Sequence, residues 1–583
     1  MKDSRPLLGI LLIMAIAIVP GMLMKRPVRT PAALTDSTTA ATQAIAPNQA
    51  AGPGALQGDS LQQAPIVGAD SVLLDSTATI AAIVDDTIVV RSALYEYRFS
   101  TIGARLVGAR FLRYRSMHPA DTVGGEKAPL DLIRPGESLL DSRMVFGADS
   151  AQFNATGFTA NATTLDVSNG PATLTMSGVV AGRPVSIDYT FAADDYHIDI
   201  AGRMDNVGAN GATLVTGLGN GFRDTESNIP ENHRESGIVT KLDDTDLTRF
   251  NSLDPLQTRV LSGPFEWVAV KSKYFVVGYF AYDTTRTDGI PGKIGGVIAT
   301  AADTMPEKPV RARTAVTLPV GSDGTWNATA YIGPMEYDRL TAMGREFDDV
   351  NPYGWPGFRT VIRPFAVAIR AVFVWMHQSL GLHYGLAIVL FGVLVRLLLW
   401  PLNQKAMRSM TAMQAIQPQL QAIQAKHKED PARLQQEMLK LYRENKVNPF
   451  GGCWPMLIPY PFLVAVFFVL QNTIELRGVS FLWMPDLSRA DPLFIIPIFM
   501  ALSMFALSKI SQMGMPPNPQ AKMMTYVMPV VFGVLFFSFA SGLNLYYAVQ
   551  NVAALPQQWL IMKERQKLNL NKAPVQTVHT KKK

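Results

Sequence analysis

The chain has a single cysteine, Cys453, in 583 residues. One thiol excludes an intrachain disulfide and a cysteine metal cluster, leaving Cys453 as a small packing residue. The sequence also contains no H-E-x-x-H, no G-x-S-x-G and no P-loop, so it offers no catalytic constellation of those kinds. The most consequential absence is of acid. The apolar runs 384–402, 452–472, 492–508, 523–539 and 543–561 hold no Asp or Glu, which also removes an aspartyl dyad from them. The first of these, YGLAIVLFGVLVRLLLWPL, nevertheless carries Arg396. A cation at membrane depth costs about 2.5 to 3.5 kcal/mol on insertion scales and normally faces a partner or a wet cavity. With no acid in the runs to pair with it, the partner is expected from outside the chain.

Whole-chain averages conceal this. A mean hydropathy of +0.12 and 17% charged residues combine a polar first half with an apolar second half, and the halves are read separately. Counting residues 7–24 with the five acid-free runs, six stretches have spanning length or nearly so, against roughly 20 residues for a typical span. Runs 492–508 and 523–539 are short, and the first of them carries Pro497, which suits a thin bilayer or a tilted bundle. Basic residues set the orientation. Lys405, Arg408, Lys426, Lys428, Arg433, Lys440, Arg443 and Lys446 crowd residues 403–448, whereas 473–491 has only Arg477 and Arg489, so the former is expected to be cytoplasmic. The tail, with Lys563, Arg565, Lys567, Lys572 and Lys581 to Lys583, puts the C-terminus inside, and six spans put the N-terminus there too. Lys25, Arg26 and Arg29 follow the first run on the external side, against that rule. No A-x-A site ends that run, so it reads as an uncleaved anchor.

Residues 31–78, rich in Ala, Thr, Gln, Pro and Gly, read as a disordered tether. Short period-two runs then begin, such as Tyr95-Glu96-Tyr97-Arg98-Phe99 and Val185-Ser186-Ile187-Asp188-Tyr189-Thr190-Phe191, separated by turns such as Ala181-Gly182-Arg183-Pro184. They predict a β-sandwich up to about residue 336, with no site apparent beyond a possible sugar- or peptide-binding cleft. In the connector, Phe365, Ile369, Val372, Phe373 and Met376 recur at helical spacing, interrupted by Arg359, Arg363 and Arg370. A basic amphipathic helix in the membrane interface and a helix packed on the sandwich or bundle both fit.

In 403–448, Met407, Met410, Met413, Ile416, Leu420 and Ile423 form one apolar stripe. Lys428-Glu429-Asp430-Pro431 then places an N-cap and an N1 proline before a second helix bearing Leu434, Met438 and Leu441. The result is a helical hairpin. Its stripes pack on each other, or Met407, Met410 and Met413 present an adaptable surface to a partner. In the last run Asn544, Tyr547 and Asn551 fall at i, i+3 and i+7, with Tyr546 and Gln550 beside them, implying a bundle interior or a groove. Interhelical hydrogen bonding accounts for Asn544 and Asn551. For Arg396, about six residues or roughly 9 Å from the cytoplasmic boundary, snorkelling stands beside a hydrated cavity.

The segments VLVRLLLWPLNQKAMRSM, VNPFGGCWPMLIPYPFLVAVFFVL, LWMPDLSRADPLFIIPIFM and SGLNLYYAVQNVAALPQQWLI, in that order around the hairpin, resemble the bacterial YidC/Oxa/Alb family of membrane protein insertases. GPFEWVAVKSKYF and YIGPMEYDRL are similar to the large periplasmic domain of its Gram-negative members. The resemblance implies an inner-membrane protein with a substrate groove open to cytoplasm and lipid, in which Arg396 is the groove arginine and Tyr546 and Tyr547 the associated tyrosines. Gly392, Asn403 and Asn551 complete the candidate groove. It implies no catalytic residue, metal or cofactor. The implied partners are nascent membrane-protein clients, the Sec translocon, the lipid bilayer, and the ribosome with targeting factors at the hairpin and basic tail. One position departs from the family: Gly392 stands where a threonine precedes the arginine by four residues, which leaves packing to hold the groove there.

The expected architecture is a multi-domain membrane protein: an anchor (1–26), a linker (27–78), a periplasmic β-sandwich (79–336), a connector (337–383), a five-span α-helical core (384–562, hairpin 403–448) and a basic tail (563–583). A polytopic transporter or channel would need inverted repeats and a charge relay, which are absent. A membrane-anchored carbohydrate-binding protein is the other alternative, to be discriminated by binding of glycans to the sandwich.

Overall fold

The computed structural model describes residues 85–570 except 124, 283–292, 306, 355–356, 428–429, 446–459 and 514–518. The anchor, the linker, Cys453 and residues 571–583 of the tail lie outside the described residues.

Alternating side chains make the first half a β-sandwich. A nine-stranded sheet runs in the order Thr245–Arg249, Gly237–Lys241, Trp267–Lys271, Phe275–Tyr282, Thr325–Pro334, His197–Met204, Arg183–Phe191, Ala172–Val180 and Phe158–Ala160. A six-stranded sheet (Thr258–Phe265, Ile294–Ala301, Ala312–Val320, Ala212–Gly217, Ser142–Phe146, Asp149–Gln152) and a five-stranded sheet (Thr164–Asp166, Thr87–Arg91, Tyr95–Ser100, Arg105–Arg115, Pro129–Asp131) share one core with it. The period-two expectation holds at the residue level: Tyr95, Tyr97 and Phe99 are all buried. Phe99 meets Tyr189 and Phe191 across the sheets, and Phe111 stacks on Phe275 at 5.6 Å. Such aromatic pairs add about 0.5 to 1.5 kcal/mol each to their burial.

The helices are α1 (Ile229–Glu235), α2 (Tyr337–Ala342), α3 (Arg359–Leu380), α4 (Tyr384–Leu398), α5 (Trp400–Ala415), α6 (Gln417–Lys426), α7 (Pro431–Glu444), α8 (Tyr460–Asn472), α9 (Ile495–Gln512), α10 (Pro519–Phe536) and α11 (Ser541–Leu570). A second core unites α3, α4, α8, α9 and α11. Among the described residues, α3 and α9 are each long and apolar enough to cross a membrane, and α4 with Trp400–Ser409 qualifies as a pair bent by 50°. Tyr460–Asn472 and Lys522–Phe536 are shorter apolar helices.

Three boundaries differ from expectation, and at the connector one of the two open readings holds. The run 384–402 is not one straight helix: α4 ends at Leu398 and α5 starts at Trp400, beside Pro401, which has no N–H to continue the ladder. Asn403 and the start of the hairpin therefore sit on α5, and the hairpin's first arm is two helices, α5 and α6. Helix α11 continues to Leu570, taking in the first residues assigned to the tail. The connector helix α3 packs into the bundle. Ile362, Ala366, Ile369, Phe373 and Met376 are buried in its core, and its arginines find acids: Arg359 pairs with Asp349, Arg363 with Asp348, and Arg370 with Asp338 and Glu475. Phe365 and Val372, from the same sequence stripe, point outward at 43% and 38% exposure. The second hairpin helix starts as expected, with the Asp430 carboxylate accepting the Arg433 N–H and Pro431 in the first turn.

Candidate functional site

Helix α4 buries Tyr384, Ala387, Ile388, Phe391 and Val395 at three- and four-residue spacing, while Leu386, Leu390, Val393 and Leu397 are exposed on the opposite side. In a bilayer, apolar surface gives helices little reason to associate, and close packing and interhelical hydrogen bonds hold them instead. Both occur where α4 meets α11. A Cβ on Gly392 would lie 3.0 Å from Val549 Cγ1, so a hydrogen there is what lets the helices approach. The Gly392 carbonyl accepts a hydrogen bond from Gln550 Nε2 at 2.8 Å, and the same amide group reaches the Tyr546 hydroxyl at 3.2 Å. Packing against Val549 is thus present at this position, and a bond from a glutamine to the backbone carbonyl joins it between the two helices.

One turn further along α4, Arg396 is half-buried. Its Nη2 donates to Gln557 Oε1 at 2.8 Å, and Gln557 Nε2 in turn donates to the Trp400 carbonyl at 2.9 Å, at the break between α4 and α5. Gln557 is 1% exposed. Arg396 Nε is buried without a hydrogen-bond partner, and no acid lies within ion-pairing distance of the guanidinium among the described residues. Gln550 and Gln557 are seven residues apart on α11, so they occupy nearly one face and meet positions 392, 396 and 400 in order.

The other sequence candidates divide between this face and others. Tyr546 belongs to it: it is fully buried, with Phe391 at 6.2 Å between ring centroids. Tyr547 turns toward α10 and meets Phe536 edge-on at 5.4 Å. Asn551 faces α9, bonding the Ser503 hydroxyl and the Met500 carbonyl, and Asn544 donates to the carbonyls of Phe536 and Phe539. Asn403 is half-buried on α5, a turn beyond the break. Met407 Sδ lies 3.8 Å from Gln558 Nε2, and nearby Arg408 pairs with Glu564. The side chains of Met410 and Met413 lie outside the described residues.

The opposite end of the bundle is fastened to the sandwich. Arg477, just after α8, pairs with Glu226 at 2.8 Å, with side chains 1% and 9% exposed, and donates to the Arg115 and Thr225 carbonyls. Gln471 donates to Glu231, which also receives Lys273. Burial would push the Lys273 ammonium down, but the fields of Tyr274 and Glu231 and the Glu231 bond leave it raised above the ordinary lysine value. Across the same end, Ser541 and Gly542 bond the carbonyls of Arg489 and Leu487, tying the start of α11 to the loop before α9. Sequence reasoning missed Gln557 and this fastening. Only Gln557 left a local trace, as a polar residue one heptad after Gln550.

A large β-sandwich joined to a bundle of apolar helices with a half-buried arginine defines a membrane protein with a bulky domain outside the bilayer. Residues 375–568 match the family model described as 60Kd inner membrane protein, and residues 87–366 match that of the YidC periplasmic domain. Three proteins named membrane protein insertase YidC are similar over two thirds of the chain or more. That of Chlorobaculum tepidum is 30% identical over 95% of this chain and 94% of its own. That of Chloroherpeton thalassium is 30% identical over 81% and 82%, and that of Nitratidesulfovibrio vulgaris 33% over 67% and 70%. The chain belongs to the YidC membrane protein insertase family.

Proposed function

We propose that this protein inserts nascent integral membrane proteins into the inner membrane and helps them fold, and that it is not an enzyme. The names of its relatives support the activity. The observation that carries the mechanism is Arg396, a cation within an apolar helix whose hydrogen-bond partner is a neutral amide rather than an acid. Arg396 and groove water lower the cost of bringing a short polar segment, often acidic, into the inner leaflet, while the client's apolar helix leaves along the lipid-facing side. Hydrophobic partition, about 0.8 kcal/mol per buried methylene, drives the step without nucleotide.

In this reading the chain crosses the membrane six times with both termini cytoplasmic and the sandwich periplasmic, and it acts alone or with the Sec translocon. The helical hairpin, through Met407, Met410 and Met413, receives clients, and with the basic tail it meets the ribosome and targeting factors, the tail by attraction to RNA phosphates. The test is reconstitution of the full chain in liposomes with a single-span client bearing an acidic tail. Insertion should fall with Arg396→Ala and largely survive with Arg396→Lys. Wild-type insertion no better than that of empty liposomes would reject autonomous insertion of that client, and equal activity of all three proteins would reject the role of Arg396.

A further inference from the structure

We infer that Gln557 is a positioning and specificity-determining residue: it fixes the Arg396 guanidinium on α11 without neutralising it, which keeps the charge free for an acidic client segment. This rests on the insertion reading above. A buried arginine most often finds a carboxylate, and this chain supplies one elsewhere, as at Arg477 and Glu226 or at Arg370 and Glu475. At Arg396 it supplies an amide. The amide's two ends are both committed: the oxygen accepts from Arg396 and the nitrogen donates to the Trp400 carbonyl. That carbonyl is anchored at the α4–α5 break, so Gln557 is oriented by backbone, and its oxygen can face only the guanidinium. Among the described residues, only Nη2 of Arg396 has a hydrogen bond, and Nε is buried without a partner there. Nε is closed to a client by that burial, so the donors left for a client carboxylate are Nη1 and the second Nη2 hydrogen, at the outer end of the guanidinium, where two parallel bonds can form. A glutamate at 557 would be nearly the same shape and would offer its own carboxylate at the same place.

The experiment uses full-length protein in liposomes and two clients differing only in the tail, with two aspartates or two asparagines. Wild type should favour the aspartate client. Gln557→Glu should lower its insertion about tenfold while changing the asparagine client less than twofold. Gln557→Asn, one methylene shorter but uncharged, should keep more of the aspartate preference than Gln557→Glu. An unchanged aspartate-to-asparagine ratio in Gln557→Glu would overturn the proposal. A second readout does not require insertion: solid-state NMR of guanidinium nitrogens in the same liposomes, with the Arg396 signal assigned by its loss in Arg396→Lys. Hindered rotation at Nη2 in wild type that disappears in Gln557→Leu supports the positioning role, and a signal unchanged by Gln557→Leu sinks it. Failure of wild type to insert either client would count against the functional reading alone, because the NMR comparison still decides whether Gln557 holds Arg396.

Discussion

Arg477 and Glu226, 251 residues apart in sequence, form a buried ion pair that fastens the loop after α8 to the sandwich. The guanidinium also lies over the rings of Phe275 and Tyr274, 5.4 and 5.9 Å from their centroids. Removing one partner strands the other charge in a dry site, at a cost of about 3 to 5 kcal/mol. Arg477→Leu and Glu226→Leu should each lower the thermal midpoint in detergent markedly. The double variant should recover much of the loss, since neither charge is then left alone. A double variant as unstable as the sum of the singles would mean that the two residues act independently and that no coupling joins them.

Gly392 sets the separation of α4 and α11. Its missing Cβ would sit 3.0 Å from Val549 Cγ1, a contact that asks the neighbour to yield by a few tenths of an ångström. Gly392→Ala should therefore be tolerated, whereas Gly392→Leu should force the helices apart at a cost of about 1 to 3 kcal/mol. Thermal midpoints of both variants, with Val549→Ala added as a relieving second substitution, check this.

Asp491 is fully buried and accepts the backbone N–H groups of Leu493 and Ile496 and the Trp483 indole N–H. It organises the entry to α9. Asp491→Ala leaves three donors without their acceptor and should cost about 2 kcal/mol, with a red shift of the Trp483 emission measured against a Trp483→Phe control.

His197 and Asp195, on the sandwich, are joined by a bond of 2.9 Å. The Asp195 bond raises the His197 pKa against the opposing effect of burial. A raised folded-state value stabilises fully below the unfolded value of about 6.5 and is lost as pH climbs through the folded one. The stability gap between wild type and His197→Gln should thus be widest near pH 6, at about 1 kcal/mol, and close by pH 9. Asp195 itself is lowered, its bonds and neighbouring cations outweighing burial. Its contribution is present above the ordinary aspartate value and fades only as acid carries the pH through the depressed one. Thermal scans across both ranges separate the two effects.

Local patterns carried much of this architecture in the sequence. Period-two runs gave strands such as Arg183–Phe191, Asp430-Pro431 marked the start of α7, and Arg396 stood out because its neighbours are apolar. What stayed hidden depends on residues distant in sequence. The arginines of α3 left its place open in the sequence: Asp348 and Asp349 are close by for Arg363 and Arg359, but Glu475, which receives Arg370, is 105 residues away. Nothing near Arg477 announces Glu226. The α4–α5 break did have a local sign in Pro401, but a continuous apolar run outweighed it. Gly392 illustrates the opposite error: a missing hydroxyl suggested a missing bond, although every residue keeps its backbone carbonyl.

The fastening of the loop after α8 has a mechanical consequence. With Arg477, Gln471 and Arg370 bonded to acids that belong to the sandwich or its exit helix, the bundle is stiff at that end. The Arg396 end is joined through the Gln557 amide, a bend in the backbone and the exposed Arg408–Glu564 pair, which contributes little in water. A load applied there should spread the helices like the free ends of a tied bundle of rods, with the tied end as the pivot.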